Sequence, residues 1–139
     1  MPINRDHLKQ RINEVLEAKS ELERLTSKPY SKLSLEEKYA IRYHVIVLAE
    51  AKGSISIHIA TEDFNIEPQS YSECFKIMEE KQISNCTKDL IAITKLRNLL
   101  THRYWTIDDA QVYESVKKDF KCVDRFLRSV KEKYGINLR

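Results

Sequence analysis

Apolar side chains recur every three or four residues along most of the chain, which is the spacing expected for one face of an α-helix. The first stripe lies within residues 4–25 and consists of Leu8, Ile12, Val15, Leu16, Leu22 and Leu25. A second stripe starts behind the capping-box sequence Ser34–Glu37 and runs to about Ala60. It contains Gly53, which indicates the close approach of a neighbouring helix. The pattern predicts two long helices separated by a break at residues 28–31.

Three shorter helices are predicted in the rest of the chain. One begins at a second capping sequence, Ser70–Glu73, and ends near Lys81. The next covers residues 88 to at least 100, and the last follows a cap at residues 106–109 and continues without interruption to Tyr134. Short polar segments join the helices, so consecutive helices are expected to pack antiparallel.

Composition supports an all-α fold and argues against several other classes. Two glycines and three prolines among 139 residues are too few for the turns of a β-sandwich or for a glycine-rich phosphate loop. Hydrophobic residues make up 42% of the chain and the net charge is +3, which argues against a disordered polyelectrolyte. We therefore expect residues 1–139 to form a single domain, an antiparallel bundle of four to five helices.

The sequence predicts a cytoplasmic protein that needs no membrane, metal or cofactor. Its longest uncharged apolar run, Val45–Ala49, is too short to span a bilayer, and the polar N-terminus does not resemble a signal peptide. Cys74, Cys86 and Cys122 are odd in number and lack the spacing of a zinc site. They are predicted to be buried, reduced thiols.

The segment over residues 97–105 carries the side chains best suited to chemistry. On a helical projection at about 100° per residue, the core-facing positions around it are Ile93, Leu96 and Leu100. Asn98 and His102 form a ridge almost opposite the core, bracketed by Ile91 and Leu99. A polar pair bordered by outward apolar residues predicts a second buried surface, most simply a subunit interface.

The same residues also allow interpretations that involve no chemistry. Arg97 can simply pair with a carboxylate, and Asn98 can act as a cap. Tyr104 and Trp105 can close the end of the bundle, and His58 is expected to be a hydrogen-bonded structural histidine. The C-terminal 23 residues carry eight basic and three acidic side chains, a charge that either attracts phosphate groups or is simply solvated. The residues alone leave these alternatives open.

The motif Arg97-Asn98-x-x-x-His102-x-Tyr104-Trp105 resembles the signature of the HepT-like toxins, a family of HEPN-domain ribonucleases. The resemblance extends to the segment Pro68–Phe75 and to the Ile55–Ile59 end of the second predicted helix. It therefore covers nearly the whole chain, and several matching features are more specific than a lone arginine and histidine at this spacing.

This resemblance implies a homodimer in which the motif helices of two chains pair and bring two copies of Arg97 and His102 into one cleft. It also implies metal-independent cleavage of RNA by an endoribonuclease in which these two residues are catalytic. His102 would act as general acid and base, Arg97 would stabilise the phosphorane, and Asn98 would support them.

The family's toxins belong to type VII-like toxin–antitoxin systems, which implies a minimal nucleotidyltransferase antitoxin as partner. The resemblance implies that this partner neutralises the toxin by transferring AMP to Tyr104, which the helical projection places about 20° from Arg97. The alternatives are a non-catalytic protein that binds substrate or nucleotide for the nucleotidyltransferase, and a purely structural bundle. Two positions depart from the family pattern, because Lys95 replaces a small residue and Ser54 an acidic one.

Overall fold

The structure, a computed structural model, describes residues 3–137. Within these residues it contains six α-helices, two short 3₁₀ turns and no strand, which confirms the predicted all-α fold. The helices are α1 (Arg5–Thr26), α2 (Leu35–Glu62), α3 (Tyr71–Glu80), α4 (Thr87–His102), α5 (Asp109–Asp119) and α6 (Val123–Tyr134). None of these six helices has the combination of length and hydropathy that crossing a membrane requires.

Residues 3–137 contain one helix more than predicted, because the last predicted helix is interrupted. A turn at residues 120–122 separates α5 from α6, and the Val123 N–H donates to the Phe120 carbonyl at 3.3 Å. The apolar stripe continues through the turn, with buried side chains at Val116, Phe120, Val123 and Leu127. The turn contains neither glycine nor proline, so no local signal marks it. The prediction of an uninterrupted helix to Tyr134 is therefore wrong.

Helix α2 begins at the predicted capping box. The Ser34 hydroxyl accepts a hydrogen bond from the Glu37 N–H at 3.1 Å, and the Glu37 carboxylate accepts one from the Ser34 N–H at 2.9 Å. Lys28 donates to the same carboxylate at 2.9 Å, and these bonds lower the pKa of Glu37 to about 2. Ser70 and Asp108 cap α3 and α5, which confirms both predicted helix starts.

Helix α2 is the centre of the bundle and contacts α1, α3, α4 and α5. Its Lys52 side chain contacts Leu90 near the start of α4, whereas Arg42, ten residues earlier, contacts Tyr104 just beyond the end of α4. The two helices therefore run antiparallel, and one face of α2 follows the whole length of α4.

Lys52 is a fully buried lysine on that face of α2. Its side-chain nitrogen donates to the carbonyl of Leu90 at 2.8 Å and lies 4.4 Å from the centre of the Phe75 ring. The hydroxyl of Thr94 donates to the same carbonyl at 3.2 Å. Burial lowers the pKa of Lys52 well below 10.5, since no carboxylate offsets the loss of hydration. This contact ties the start of α4 to α2 and α3.

Gly53 marks the close approach that its position in α2 predicts, and the approaching group is the ring of Tyr71 from α3. A Cβ atom at residue 53 would lie 2.6 Å from Cζ of that ring, well inside contact distance. The missing side chain lets Tyr71 lie directly against the backbone of α2.

The prediction of three reduced thiols is wrong for two of them. Cys86 and Cys122 form a disulfide with their Cα atoms 6.4 Å apart. Cys86 precedes α4 and Cys122 precedes α6, and the fold brings these helix starts together across 36 residues of sequence, which no spacing rule shows. Cys74 is a buried thiol, and burial raises its pKa to about 12.

Candidate functional site

Helix α4 changes character halfway along its length. Its inner segment, residues 87–96, packs into the bundle and buries Leu90, Ile93 and Thr94. The outer segment, residues 97–106, comprises the end of α4 and the 3₁₀ turn that follows it, and most of its side chains are exposed. Leu100 anchors the outer segment in the core. The motif thus lies on a part of the chain that is held in place but open to solvent.

Asn98 and His102 lie on an exposed ridge of α4, as the projection predicts. Leu99 borders this ridge and is 45% exposed. Ile91, the other predicted border, instead packs against the core, because the bundle covers that flank of the inner segment. The apolar border of the ridge is therefore present at Leu99 and absent at Ile91.

The projected position of Tyr104 is wrong, because α4 ends before this residue. Arg103 leaves the helical conformation, with φ −140° and ψ 40°. Its carbonyl accepts hydrogen bonds from the backbone N–H of Thr106 at 2.9 Å and from the hydroxyl of Thr106 at 2.8 Å. These local bonds form a 3₁₀ turn in place of another helical turn. Tyr104 therefore does not share a helix face with Arg97.

The guanidinium group of Arg97 is held in a fixed orientation by two neighbours. Its Nε donates to the Glu50 carboxylate at 2.6 Å, and its Nη2 donates to the same oxygen. Its Nη1 donates to Oδ1 of Asn98 at 2.8 Å. Arg97 therefore does pair with a carboxylate, as one of the sequence-based interpretations holds. An arginine has five N–H donors, so one remains on each terminal nitrogen for a further ligand.

Glu50 is a residue of this site that the sequence reasoning missed. The family pattern places an acidic residue at position 54, where this chain has Ser54. Residues 50 and 54 are one turn apart and lie on the same face of α2. Glu50 therefore supplies a carboxylate to Arg97 from the preceding turn. Considering the acidic residues one turn to either side of Ser54 would have found it.

A polar pocket of about 350 Å³ lies beside the ion pair of Arg97 and Glu50. Its lining residues are Arg11, Glu14, Glu50, Ala51, Ser54 and Tyr71. Burial raises the pKa of Tyr71, the charge of Glu50 raises it further, and the charge of Arg97 opposes the shift. The Tyr71 hydroxyl is therefore kept as a neutral hydrogen-bonding group next to the ion pair.

A single chain does not bring Arg97 and His102 onto one face. They are five positions apart, so their side chains leave α4 about 140° apart. Arg97 turns towards α2 and is partly buried, whereas the imidazole of His102 is exposed. Of the predicted site residues, the structure brings Arg97 and Asn98 into contact and leaves His102 on the neighbouring exposed ridge.

The turn that carries Tyr104 is fastened to α2 and α5 by Arg42. The Arg42 Nε and Nη2 donate to the two carboxylate oxygens of Asp109 at 2.6 and 3.0 Å, and Nη1 donates to the Tyr104 carbonyl at 3.5 Å. The side chains of Tyr104 and Trp105 are 60% and 68% exposed, so they do not close the end of the bundle. The phenol of Tyr104 is accessible on a backbone that is held in place.

His58 is hydrogen bonded, as predicted. Its Nε2 accepts from the backbone N–H of Asn4 at 3.0 Å, and its ring lies 4.7 Å from the ring of His7. Burial and the neighbouring His7 lower the pKa of His58. Within the part of the chain that the structure describes, no cluster of three His, Cys, Asp or Glu side chains is arranged to hold a metal ion.

Comparison with known proteins gives a family match over most of the chain. Residues 10–130 match the sequence model of the family described as Ribonuclease HepT-like. The matched range includes the whole segment from α2 to α5, and therefore both parts of the candidate site. No protein of curated function matches the sequence significantly.

Several solved structures share the fold. A chain of a toxin–antitoxin complex with AMP-PNP has a TM-score of 0.82 at 16% identity, covering 91% of this chain and 98% of that chain. A chain from the complex of a tri-AMPylated Shewanella oneidensis HEPN toxin with an MNT antitoxin has the same TM-score and coverage at 17% identity. The Bacillus subtilis cytosolic protein YutE, of unknown function, has a TM-score of 0.77 at 16% identity, covering 89% and 88%. At these identities the similarity establishes a common fold.

Proposed function

Because the chain belongs to the HepT-like ribonuclease family, we propose that it is the toxin of a type VII-like toxin–antitoxin system and acts as a metal-independent endoribonuclease. One observation carries the proposal. The outer segment presents Arg97 in a fixed orientation with N–H donors to spare, and it presents the imidazole of His102 on an exposed ridge. These are a charge stabiliser and a proton carrier for phosphoryl transfer, as RNA cleavage requires.

The proposed reaction uses the 2′-hydroxyl of the RNA as nucleophile. The 2′-oxygen attacks the adjacent phosphorus, the bond from phosphorus to the 5′-oxygen breaks, and the products are a 2′,3′-cyclic phosphate and a 5′-hydroxyl. The proton lost by the 2′-oxygen is balanced by the proton gained by the 5′-oxygen, and His102 carries out these transfers. The remaining N–H donors of Arg97 stabilise the charge on the phosphorane. Asn98 keeps Arg97 in orientation through its contact with Nη1.

A second copy of the chain completes the proposed site. Arg97 and His102 leave α4 about 140° apart, so one chain cannot direct both at the same phosphate. In the proposed dimer the exposed ridges of two chains pair around a two-fold axis, with His102 of one chain opposite Arg97 of the other. The exposed Leu99 next to the ridge provides apolar contact for this pairing. We therefore propose a homodimer with the RNA in the cleft between two outer segments.

Neutralisation is proposed to occur by AMP transfer to Tyr104. A nucleotidyltransferase partner would direct the phenolic oxygen of Tyr104 at the α-phosphorus of ATP, so that pyrophosphate leaves and the phenolic proton is released. Two observations support this step: the exposed phenol of Tyr104, and the tri-AMPylated state of the similar Shewanella oneidensis toxin in its complex with an MNT antitoxin. Tyr104 is two residues from His102, so the added phosphate would lie beside the RNA cleft and exclude substrate by charge and bulk.

The nuclease assignment is tested by incubating the purified protein with RNA in the presence of EDTA. Cleavage with cyclic phosphate ends is expected, and His102→Ala should reduce its rate by about 10²–10⁴-fold. Lys88→Ala is the matched control, because Lys88 is an exposed residue of α4 outside the motif. Equal cleavage by the protein and by His102→Ala would reject the mechanism.

The modification is tested by co-expressing the protein with a minimal nucleotidyltransferase as the proposed partner and measuring the intact mass. The mass is expected to rise by whole AMP units, with the adduct mapping to Tyr104. Tyr104→Phe keeps the ring but lacks the oxygen, so it should show no gain. An unchanged mass with an active partner and ATP would contradict the proposal.

The contact between Glu50 and Arg97 favours one second candidate, a non-catalytic subunit that presents substrate or nucleotide to the nucleotidyltransferase. In that case the ion pair is structural, and His102→Ala leaves both partner binding and cell growth unchanged. Loss of toxicity in His102→Ala with partner binding retained would exclude this candidate.

A further inference from the structure

We propose that Tyr39, Arg42 and Trp105 form a stacking site for an unpaired nucleobase of the RNA substrate. This inference rests on the proposed nuclease function and deepens it by adding a substrate contact outside the Arg97 and His102 motif. The three side chains come from α2 and from the turn behind α4. Tyr39 and Arg42 are in contact, and Arg42 reaches the backbone of the turn that carries Trp105.

The cluster is organised around the guanidinium group of Arg42. Its Cζ lies 5.3 Å from the centre of the Tyr39 ring, the distance of a cation–π contact. Its Nη1 donates to the Tyr104 carbonyl at 3.5 Å, which places the 3₁₀ turn directly beside it. The Trp105 ring packs edge-on against the Tyr104 ring, with the ring centres 5.3 Å apart. One exposed aromatic ring therefore contacts the cation, and a second is carried by the turn whose backbone the cation contacts.

The cluster is held in position before any ligand binds. Arg42 is fixed by its two-pronged contact with Asp109 at the start of α5. That contact orients the guanidinium plane, and the Tyr104 carbonyl ties the turn to it. A preorganised surface loses less side-chain entropy on binding than a mobile one, which favours its use as a binding site.

The exposed rings of Tyr39 and Trp105 differ from isolated aromatic residues on a protein surface. A single exposed aromatic residue is ordinary on a protein surface. Here Tyr39, in contact with the fixed Arg42, is 52% exposed, and Trp105, on the turn that Arg42 holds, is 68% exposed. Aromatic faces next to a cation are the means by which proteins bind single-stranded nucleic acid, because every base has a π-face to stack.

The cluster also lies close enough to the proposed catalytic residues for one RNA strand to contact both. Arg42 and Glu50 are eight residues apart on one face of α2, so they are separated by about 12 Å along the helix. Glu50 contacts Arg97 and Arg42 contacts the carbonyl of Tyr104, so the same separation applies along α4. An RNA strand with a phosphate at Arg97 would therefore carry a nearby base to the cluster.

Local charge favours RNA as the occupant. The exposed side chains of His102 and Arg103 lie on the stretch of chain between Arg97 and the cluster. Tyr43, one turn after Tyr39, provides a contrast, because it lines a groove with Glu14 and Glu17 of α1. Arg103 attracts a polyanion to the side of the cluster, whereas Glu14 and Glu17 repel one from Tyr43.

The test measures binding of a fluorescently labelled 2′-O-methyl oligoribonucleotide, which lacks the attacking hydroxyl and so cannot be cleaved. Tyr39→Leu and Trp105→Leu are each expected to weaken binding by about 5- to 150-fold, the range for loss of one stacked base. Tyr43→Leu is the matched control and should bind as the unaltered protein does. Melting temperatures of all three variants check that the fold is intact.

Two further measurements separate stacking on bases from attraction to phosphates. Trp105 is the single tryptophan of the chain, so the oligonucleotide should quench the intrinsic fluorescence of the unaltered protein. An abasic oligonucleotide of the same length keeps the phosphates, and it should bind the protein and the Tyr39→Leu variant equally while causing little quenching.

The outcomes distinguish this inference from the proposed function. RNA cleavage with equal oligonucleotide affinity in all variants would overturn the stacking site and leave the nuclease intact. Stacking without cleavage would support the site and reject the nuclease. If Trp105→Leu changes the oligomeric state or abolishes nucleotidyltransferase binding while oligonucleotide affinity is unchanged, the cluster is a protein contact and the inference is overturned.

Discussion

The inner and outer segments of α4 are both held by α2, but by opposite means. In the inner segment the Leu90 carbonyl accepts from Lys52, whose side-chain amine is fully buried. In the outer segment Arg97 is held by Glu50 in an ion pair that reaches solvent. In the first contact the amine of Lys52 loses its hydration, and its hydrogen bond fixes the position of α4. The second keeps a charged group oriented and accessible, so the comparison separates the part of α4 that stabilises the fold from the part that can react.

The largest effect is expected from changing the outer segment. Arg97→Ala should lower the rate of RNA cleavage by about 10²–10³-fold, because the phosphorane loses its charge stabiliser. The free energy of unfolding should change little, since the ion pair with Glu50 is partly exposed. Single-turnover kinetics measure the cleavage rate, and urea denaturation measures the free energy of unfolding.

Arg97→Lys is the informative companion variant. It keeps the positive charge but loses the planar fork that contacts Glu50 and Asn98 together. Cleavage by Arg97→Lys should remain close to that of Arg97→Ala. Full activity with lysine would show that charge alone is needed and that the fixed orientation has no role.

An intermediate effect, on stability alone, is expected from the inner segment. Lys52→Met fills the same space without a buried amine and should increase the free energy of unfolding by about 1–3 kcal/mol. Thr94 still donates to the Leu90 carbonyl, so that acceptor keeps a partner. RNA cleavage should be unchanged. A stabilised variant that has lost cleavage would show that the two segments are not separable.

The pH dependence of the free energy of unfolding tests whether the pKa of Lys52 is lowered in the folded chain. Its pKa in the folded chain is well below the ordinary 10.5, so below 10.5 the unfolded chain binds a proton that the folded chain releases. The free energy of unfolding should therefore rise with pH, and the rise should end near 10.5. The advantage of Lys52→Met should be smaller at about pH 9 than at about pH 7. An equal advantage at both values would contradict a lowered pKa.

The smallest effect is expected from substitution of Glu50, the residue that orients Arg97. Glu50→Ala removes the group that orients Arg97 and should lower kcat by about 10-fold with little change in KM, since it does not contact the substrate. Glu50→Gln keeps an acceptor oxygen and should recover part of the loss. A rise in cleavage in Glu50→Ala would instead show that the carboxylate competes with the RNA phosphate for Arg97.

Local signals in the sequence predict much of this fold. Helix starts at Ser34, Ser70 and Asp108 follow from capping chemistry, which acts over three residues, and the structure confirms them. The all-α class follows from periodicity and from the scarcity of glycine and proline. The exposed ridge of Asn98 and His102 follows from the helical projection as far as α4 continues.

Other features depend on contacts between distant parts of the chain and have no local signal. The turn at residues 120–122 interrupts an unbroken apolar stripe, and the disulfide of Cys86 and Cys122 joins two helix starts that only the fold brings together. Lys52 is polar by sequence and buried by packing. Arg42 supports the turn of Tyr104 from another helix. The contacts of Arg42 with the Tyr104 turn and of Glu50 with Arg97 set the geometry of the candidate site.

Mixing two inactive variants tests the central claim most directly. If Arg97 of one chain and His102 of its partner act on the same phosphate, a dimer of one Arg97→Ala chain and one His102→Ala chain keeps one intact pair. Unfolding and refolding equal amounts of the two variants together should then restore about a quarter of the original RNA cleavage. A mixture that contains the mixed dimer and remains as inactive as its parents would contradict a site shared between two chains.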